Sequence, residues 1–327
     1  GANISSRFSN AANFVTIFST RDFTMDNVKI AWTIPGYATR ATNPVQSGFA
    51  GVYLYGTNYN PTFRRMKILD MPDQGIMNGV DSGGGQNSQG GGVFDSVFNG
   101  VGDVYQGLSG DGTSITVWSD GTFSRNVFTN CYRGFESYGN PIPDKANVTI
   151  SDNFISTINF GLIIIESAPA RVKNWKISNN RFFSETGSNY GMGTSYVTDF
   201  VVENNEFSGF VGEVTNNGLG INGSNNVVRG NYFHDLQIGI SFGVAPAETN
   251  HSAYVIGNHF TRSTVPIQIL NNNVSLIENT FINQDGLEFH SVLVQAATNT
   301  FIARNYANSG NYSYRYPLLI AASATCP

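Results

Sequence analysis

A six-residue pattern recurs along most of this chain and restricts the folds that the chain can adopt. An apolar residue is followed by two variable residues, an Asn, one variable residue and a second apolar residue, usually Phe. The Asn positions are spaced by 27, 27, 25, 26, 27, 21 and 26 residues. They are Asn126, Asn153, Asn180, Asn205, Asn231, Asn258, Asn279 and Asn305, and Ser96 takes the same place one repeat earlier. Repeats of this length are typical of solenoids, in which each repeat forms one coil that stacks on the next.

A second apolar segment follows each Asn motif and usually opens with a Gly, such as Gly134, Gly161 or Gly191. Both segments alternate apolar and other residues, which predicts short strands. A repeat of about 26 residues is too short for the four strands of a propeller blade. We therefore predict an all-β, right-handed parallel β-helix of roughly 12 coils of about 26 residues, with a ladder of Asn side chains and a stack of Phe rings. We expect one domain over residues 1–327, with less regular coils over 1–70, regular coils over 71–310 and a C-terminal tail over 311–327.

The composition limits the possible partners. Charged residues make up 13% of the chain, and 18 Lys and Arg against 23 Asp and Glu give a net charge of −5. Without a basic run, we expect no nucleic-acid partner. No apolar stretch reaches the roughly 18 residues of a membrane helix, so we expect no membrane insertion. The four histidines, His234, His251, His259 and His290, show no metal-ligand spacing and are interpreted as surface residues, and we expect no metal or other cofactor.

One column of side chains is predicted to face outward, because it lies between the ladder Asn and the inward aromatic residue. In successive coils it contains Arg181, Glu206, Tyr232 and His259, and a parallel column contains Ser178, Glu203 and Arg229. These residues form either surface ion pairs on a polar face or a ridge on which Tyr232 stacks against a sugar while charged groups bind its hydroxyls.

Paired carboxylates would be needed for the hydrolysis of a glycoside. Glu136 follows Gly134 and Phe135 in the second segment of its coil, and Glu166 lies one coil and three residues further on. We predict these two as the catalytic pair, with Asp199, Glu213 and Asp235 as alternatives, or else as ordinary surface acids. Further residues near them could line a sugar groove, namely Arg133, Tyr138, Trp118, Trp175, Tyr190 and Tyr196.

The stacked NNRF, NNEF, GNYF, GNHF and ENTF units resemble the parallel β-helix superfamily of pectate lyases, polygalacturonases and bacteriophage tailspikes over about residues 90 to 310. The Asn-Thr-Asp, Gly-His-Gly and Arg-Ile-Lys motifs of polygalacturonases are absent, and the chain lacks a cluster of calcium-binding acids like that of pectate lyases. Its Gly- and Asn-rich coils look most like those of tailspikes.

This resemblance implies an endoglycosidase that binds and hydrolyses a bacterial surface polysaccharide, either capsule or O-antigen. It also implies a homotrimer in a virion tail or another extracellular location. Two alternatives remain open at this stage. One is a non-catalytic glycan-binding fibre, and the other is a polysaccharide lyase or epimerase.

Overall fold

The computed structural model describes residues 2–6, 13–32, 50–71, 73–79, 88–102, 112–139, 145–166, 172–184, 190–210, 217–243, 252–270, 273–282, 289–295, 297–308 and 315–320. All regular elements among them are β-strands, and all the strand pairs are parallel. The chain divides into two compact units, Gly1–Ile165 and Glu166–Pro327.

The strands that begin in the first unit are β1 (Ala2–Ser6), β2 (Asn13–Phe18), β3 (Thr24–Asp26), β4 (Val28–Trp32), β5 (Ala50–Tyr55), β6 (Thr62–Arg64), β7 (Lys67–Leu69), β8 (Gln74–Asn78), β9 (Gly92–Phe94), β10 (Val97–Asn99), β11 (Thr113–Thr116), β12 (Thr122–Ser124), β13 (Val127–Gly139), β14 (Lys145–Ala146), β15 (Thr149–Ser151) and β16 (Phe154–Glu166).

The second unit contains β17 (Val172–Lys173), β18 (Lys176–Ser178), β19 (Arg181–Ser184), β20 (Tyr190–Thr194), β21 (Val197–Thr198), β22 (Val201–Glu203), β23 (Glu206–Ser208), β24 (Asn217–Gly220), β25 (Gly223–Ser224), β26 (Asn226–Arg229), β27 (Tyr232–Phe242), β28 (Ala253–Ile256), β29 (His259–Ile269), β30 (Val274–Ile277), β31 (Thr280–Ile282), β32 (Phe289–Val294), β33 (Phe301–Ala303), β34 (Tyr306–Asn308) and β35 (Arg315–Ile320).

One strand per coil belongs to the sheet that precedes the ladder Asn, so its strands count the coils. Five of these strands lie in the first unit (β3, β6, β9, β12 and β15) and six in the second (β18, β22, β26, β28, β30 and β33). Eleven coils of the described residues therefore contribute to this sheet, against roughly 12 predicted, and β1 and β2, which pair with β4 and β5, belong to a further coil before them. The N-terminal coils are longer than the repeat suggested, because Thr24 pairs with Thr62, Thr62 with Gly92 and Gly92 with Thr122.

The predicted Asn ladder is confirmed in both units. In the first unit the Nδ2 of Asn126 donates to the Oδ1 of Asn153 at 3.0 Å. In the second unit the same contact runs from Asn180 through Asn205, Asn231, Asn258 and Asn279 to Asn305, at 2.9 to 3.0 Å. Each Oδ1 also accepts the backbone N–H of the preceding ladder residue, as in the 2.9 Å bond from Asn205 to Asn231. Buried amides are thus paired within the turn, as burial of polar groups requires.

The residue before each ladder position has a left-handed backbone. The φ angle is 56° at Arg125, 58° at Asp152, 57° at Asn179, 55° at Asn204 and 62° at Gly230. This conformation favours Gly, Asn and Asp, since a Cβ makes it costly for most other residues. The turn therefore explains why Asn-Asn and Gly-Asn pairs recur in the sequence.

Phe rings two positions after the ladder Asn stack inside each unit, as predicted. In the first unit Phe98 and Phe128 have ring centroids 5.0 Å apart. In the second unit neighbouring rings are 4.8 to 5.1 Å apart along the series Phe182, Phe207, Phe233, Phe260 and Phe281. All seven side chains are at most 2% exposed. Because the inward positions are fixed in this way, the residues between them must face outward.

Candidate functional site

The outward column of the second unit has the register that the sequence predicted. Arg181 pairs with Glu206, Glu206 with Tyr232 and Tyr232 with His259. We call these four residues the ridge. Tyr232 is 37% exposed, an unusual position for a large ring on a flat sheet surface. The ridge therefore places an accessible ring between charged and imidazole groups on neighbouring strands.

The parallel column is also confirmed, and it is an ion-pair network. Ser178 pairs with Glu203 and Glu203 with Arg229 along the sheet. The carboxylate of Glu203 binds Lys176 at 2.7 Å and Arg229 at 2.6 Å. Hydrogen bonds from Lys176 and then Arg229 lower the pKa of Glu203, although its burial opposes them. Glu203 is thus an ionised structural carboxylate rather than a proton donor.

His234 contacts Glu206 of the ridge and also a second carboxylate, that of Asp235. The Nε2 of His234 lies 3.0 Å from Oε1 of Glu206, and its Nδ1 lies 2.6 Å from Oδ2 of Asp235. Arg262 donates to both oxygens of Asp235, at 2.5 and 2.7 Å, while Arg181 lies 3.3 Å from Oε1 of Glu206. We call Glu206, His234, Asp235 and Arg262 the histidine cluster. It brings two carboxylates to opposite sides of one imidazole ring.

The local fold explains how the histidine cluster is held. Asp235 and Arg262 have φ angles of 56° and 48° and lie at a bend within β27 and β29, respectively. His234 stacks on Tyr232 with ring centroids 4.5 Å apart. The Tyr232 hydroxyl is also 3.1 Å from the hydroxyl of Thr261. Contacts from three strands therefore fix the imidazole, which is only 15% exposed.

The charge state of Asp235 follows from these contacts. Hydrogen bonds from Arg262 lower the pKa of Asp235 to about 2, against the effect of burial, and a hydrogen bond from His234 adds to the decrease. Asp235 is therefore a carboxylate at any ordinary pH and can accept a proton. Both carboxylates can be acceptors from His234 only when both ring nitrogens carry protons.

Sequence reasoning considered Asp235 only as an alternative acid and interpreted His234 as an ordinary surface residue. The spacing of Glu206 and His234 is one coil plus two residues, so the contact is diagonal across the sheet. A search along single columns misses such a contact. The signal that could have found it is the presence of Glu206, His234 and Asp235 within adjacent outward positions of two successive coils.

The predicted catalytic residue Glu136 lies in the first unit and is buried, with 5% exposure. Its Oε2 accepts a hydrogen bond from Thr113, and its Oε1 is 3.2 Å from Nη1 of Arg133. Arg133, predicted to bind substrate, is 8% exposed and lies over the rings of Tyr132 and Phe160. Glu136 and Arg133 therefore form a buried pair with each other.

The remaining predicted residues are dispersed. The side chains of Glu166 and Tyr138 lie outside the described residues, as does Glu213. Asp199 is exposed and occupies a left-handed turn with a φ of 56°. Tyr196 is half-buried with the same φ, and Tyr190 is half-buried, which raises the pKa of its hydroxyl.

The prediction that Trp118 and Trp175 line a surface groove was wrong, because each is 1% exposed. The indole N–H of Trp118 donates to the carbonyl of Gly90 at 2.7 Å, and its ring packs on Phe123. Trp175 stacks on Phe200 with centroids 5.4 Å apart. Both rings fill the core, where large apolar surfaces stabilise the fold most.

Within the described residues, no helix is long and apolar enough to cross a membrane. In the same residues, no group of three or more His, Cys, Asp or Glu side chains is arranged to hold a metal ion. Cys131 is buried and is not in a disulfide, and Cys326 lies outside the described part of the chain.

Comparison with known proteins agrees with this architecture. The family model of the right-handed β-helix region matches residues 86–234. No curated protein sequence matches the chain. Among solved structures, it is similar to the A-module of mannuronan C-5 epimerase AlgE6 of Azotobacter vinelandii, at 18% identity and a TM-score of 0.58, covering 89% of this chain and 77% of that one.

Two further similar structures come from other kinds of protein. The tailspike protein of E. coli bacteriophage HK620 matches at 12% identity and a TM-score of 0.55, covering 94% of this chain and 69% of that one. The surface protein and adhesin PfbA of Streptococcus pneumoniae matches at 13% identity and a TM-score of 0.53, covering 91% and 77%. At these identities the likeness shows the fold, and the predicted right-handed parallel β-helix is confirmed.

Proposed function

The chain is a right-handed parallel β-helix protein, and we propose that it binds and hydrolyses a bacterial surface polysaccharide as an extracellular endoglycosidase. The histidine cluster supports this proposal most strongly, because its two carboxylates lie next to the accessible ring of Tyr232, which stacks on His234. The similar structures include a tailspike crystallised with a hexasaccharide, an epimerase of mannuronan and a surface adhesin. The epimerase acts on mannuronan and the tailspike was solved with a hexasaccharide, and the proposal extends a carbohydrate ligand to this chain.

The spacing of the two carboxylates favours one stereochemical course. Since Glu206 and Asp235 bind opposite nitrogens of one ring at 3.0 and 2.6 Å, their bonded oxygens are about 7 to 8 Å apart. Inverting glycosidases separate their carboxyl groups by about 6.5 to 9.5 Å, which leaves room for a water molecule, while retaining enzymes separate them by only about 5 to 5.5 Å. This separation lies in the inverting range, and because the His234 ring fills the space between the two bonded oxygens, the sugar and the attacking water would have to bind beside that ring.

In the proposed reaction Asp235 accepts a proton from a water molecule that attacks the anomeric carbon. The bond from that carbon to the glycosidic oxygen breaks, and the leaving oxygen takes a proton from the His234–Glu206 pair. Arg262 keeps Asp235 ionised, so its carboxylate is available to orient the attacking water and take its proton, with the weak basicity that a pKa of about 2 gives it. Tyr232 and Arg181 would hold the sugar by stacking and hydrogen bonding.

The pair first predicted from sequence, Glu136 and Glu166, remains a second candidate for the catalytic carboxylates, with Asp199 as an alternative. Glu136 is buried, and Thr113 and Arg133 bind its two oxygens. The histidine cluster is more accessible, so we place the reaction there.

A lyase or epimerase is the competing reaction, since His234 and Tyr232 could also move a proton at a uronic acid. The two reactions leave different products. Hydrolysis shortens the chain without creating a double bond, whereas elimination creates an unsaturated sugar that absorbs ultraviolet light. Epimerisation changes neither the length nor the absorbance.

The test is to incubate the protein with purified capsular and O-antigen polysaccharides and to follow chain length and ultraviolet absorbance together. We expect shortening without absorbance, lost in Glu206→Gln and Asp235→Asn. Glu278→Gln is the matched control, because Glu278 is an exposed acid of the same unit, paired with Arg304 at 2.9 Å. If Glu136→Gln and Glu166→Gln abolish cleavage while Glu206→Gln does not, the site lies elsewhere. Shortening with absorbance would replace the hydrolase by a lyase.

We also propose, from the likeness to tailspikes, that the protein acts as a homotrimer on a virion tail or another extracellular surface. Light scattering at several protein concentrations tests the trimer. A mass three times that of the 35.5 kDa chain is expected. A strictly monomeric species would contradict this part of the proposal and would leave the histidine cluster as the site of a monomeric enzyme.

A further inference from the structure

The outer face of the first unit carries a row of aromatic rings, whereas the histidine cluster lies in the second unit. Phe18 of β2 stacks on Tyr55 of β5, with ring centroids 5.2 Å apart and planes at 23°. The ring of Tyr55 is 6.0 Å from that of Tyr53. We call these three residues the aromatic platform. Phe18 is 64% exposed, so a large apolar ring is presented to solvent on a regular strand.

The register of the strands builds this platform. Phe18 pairs with Tyr55, and Thr16 pairs with Tyr53, on adjacent coils. In the next coil Gly79 follows β8, and a Cβ at that position would lie 2.2 Å from the ring of Tyr53. The Tyr53 ring therefore rests over the backbone of the following coil, in space that only a glycine leaves open. The rings are held against the sheet rather than free to rotate into solvent.

The platform continues into uncharged side chains, the half-buried Met77 and then the buried Thr116. Along one outward column Tyr53 is followed by Met77 and Thr116, because Tyr53 pairs with Met77, and Ile76 pairs with Ile115. The hydroxyl of Thr116 is 3.5 Å from Oε1 of Gln74. Thr16, Tyr53, Met77 and Thr116 carry no charge, nor do Phe18 and Tyr55 in the neighbouring column.

This composition selects among possible ligands. Flat rings bind the apolar faces of sugar rings, while hydroxyl and amide groups bind sugar hydroxyls. An acidic sugar or a nucleic acid would require cationic side chains. Among the described residues, these two columns contain none before the coil of the Arg133–Glu136 pair. A stable protein partner would bury about 800 Å² on this side, far more than three rings supply when Tyr53 and Tyr55 are half-buried.

We propose that the aromatic platform is a second glycan-binding site, which takes neutral sugar residues of an extended polysaccharide and performs no chemistry. It is independent of the hydrolysis proposed for the second unit. A long polysaccharide is the ligand class that matches a row of rings spread over successive coils. The site would hold the polymer on the protein while the histidine cluster acts on it, or would hold it equally well if no cleavage occurs.

Affinity electrophoresis in gels that contain neutral O-antigen polysaccharides tests the platform directly. We expect Phe18→Ala and Tyr55→Ala to weaken retardation by about two- to tenfold in the dissociation constant, as the loss of one aromatic contact implies. Phe301→Ala is the matched control, since Phe301 is 56% exposed on a sheet of the second unit. Gly79→Ala should weaken binding as well, because it displaces the ring of Tyr53 without removing any of the three aromatic side chains.

The outcomes separate this site from the hydrolytic one. Asp235→Asn should abolish cleavage and leave the retardation unchanged, and Phe18→Ala should leave cleavage of short oligosaccharides unchanged. Wild-type retardation in the folded Phe18→Ala variant, or an equal loss in Phe301→Ala, would overturn the platform. So would the failure of every neutral polysaccharide to retard the wild-type protein, even where an acidic polysaccharide is cleaved.

Discussion

Replacing Asn231 with alanine removes one rung of the buried amide ladder in the second unit. Asn231 is 1% exposed, and its Oδ1 accepts both the backbone N–H of Asn205 at 2.9 Å and the side-chain amide of Asn205 at 3.0 Å. Its Nδ2 donates to the carbonyl of Val202 and to Oδ1 of Asn258, both at 2.9 Å. Alanine can make none of these four bonds.

The cost follows from which groups are left without a partner. The Asn205 amide keeps bonds to two carbonyls, at 2.9 and 3.1 Å, but the backbone N–H of Asn205 loses its acceptor inside the unit. One buried unsatisfied group costs about 1 to 3 kcal/mol, and each further lost bond costs about 1 kcal/mol. With three further bonds lost, we therefore expect the free energy of unfolding to fall by about 4 to 6 kcal/mol in Asn231→Ala.

Guanidinium chloride unfolding, followed by far-ultraviolet circular dichroism, measures this loss. Asn308→Ala is the control, because Asn308 lies exposed on β34 outside the ladder, and it should change stability by less than about 0.5 kcal/mol. Asn231→Ser should lie between the two, since Ser96 occupies a native ladder position and its Oγ accepts the N–H of Met66 at 3.0 Å. A loss in Asn231→Ala no larger than that in Asn308→Ala would refute the structural role of the ladder.

Two other substitutions probe the stack and the charged cluster. Phe207→Ala should destabilise the protein by about 3 to 5 kcal/mol, because the buried ring stacks on rings 4.8 and 4.9 Å away. Phe183 is half-buried, so Phe183→Ala should cost only about 1 kcal/mol. Chemical unfolding measures both changes. Because the pKa of Asp235 is lowered in the folded state, its stabilising contribution is present above its ordinary value of 3.8 and is lost as the pH falls toward about 2. Discounted for the exposure of Asp235, this contribution is about 1 kcal/mol. The melting temperature should therefore fall less between pH 4 and pH 2 in Arg262→Gln than in the wild type. An equal fall in both proteins would contradict the pairing of Asp235 with Arg262 as the cause.

The repeat predicted those parts of the fold that depend on a fixed period. Asn205 and Phe207 recur at one angular position, so their ladder and stack follow from spacing alone, and the outward placement of Glu206 between them follows as well. The greater length of the N-terminal coils did not follow, as the pairing of Thr24 with Thr62 shows. The Asn motif has the spacing of the regular coils, so it is not recognisable where the coil length changes.

The candidate site could be predicted only in part. The ridge was found because its members share one column, but the contact of His234 with Glu206 crosses between columns and depends on side-chain direction. The tryptophans were misplaced for a related reason. Trp175 precedes its strand by one residue, as Phe200 does one coil later, and this shared register would have indicated an inward position.

The anomeric configuration of the first products tests the central claim most directly. Proton NMR, recorded at once after the protein is mixed with a polysaccharide that it shortens, reports the configuration at the new reducing end before mutarotation. The separation of Glu206 and Asp235 predicts an inverted product, with no signal in Asp235→Asn. Retained configuration, or inverted product that persists in Asp235→Asn, would contradict hydrolysis by the histidine cluster.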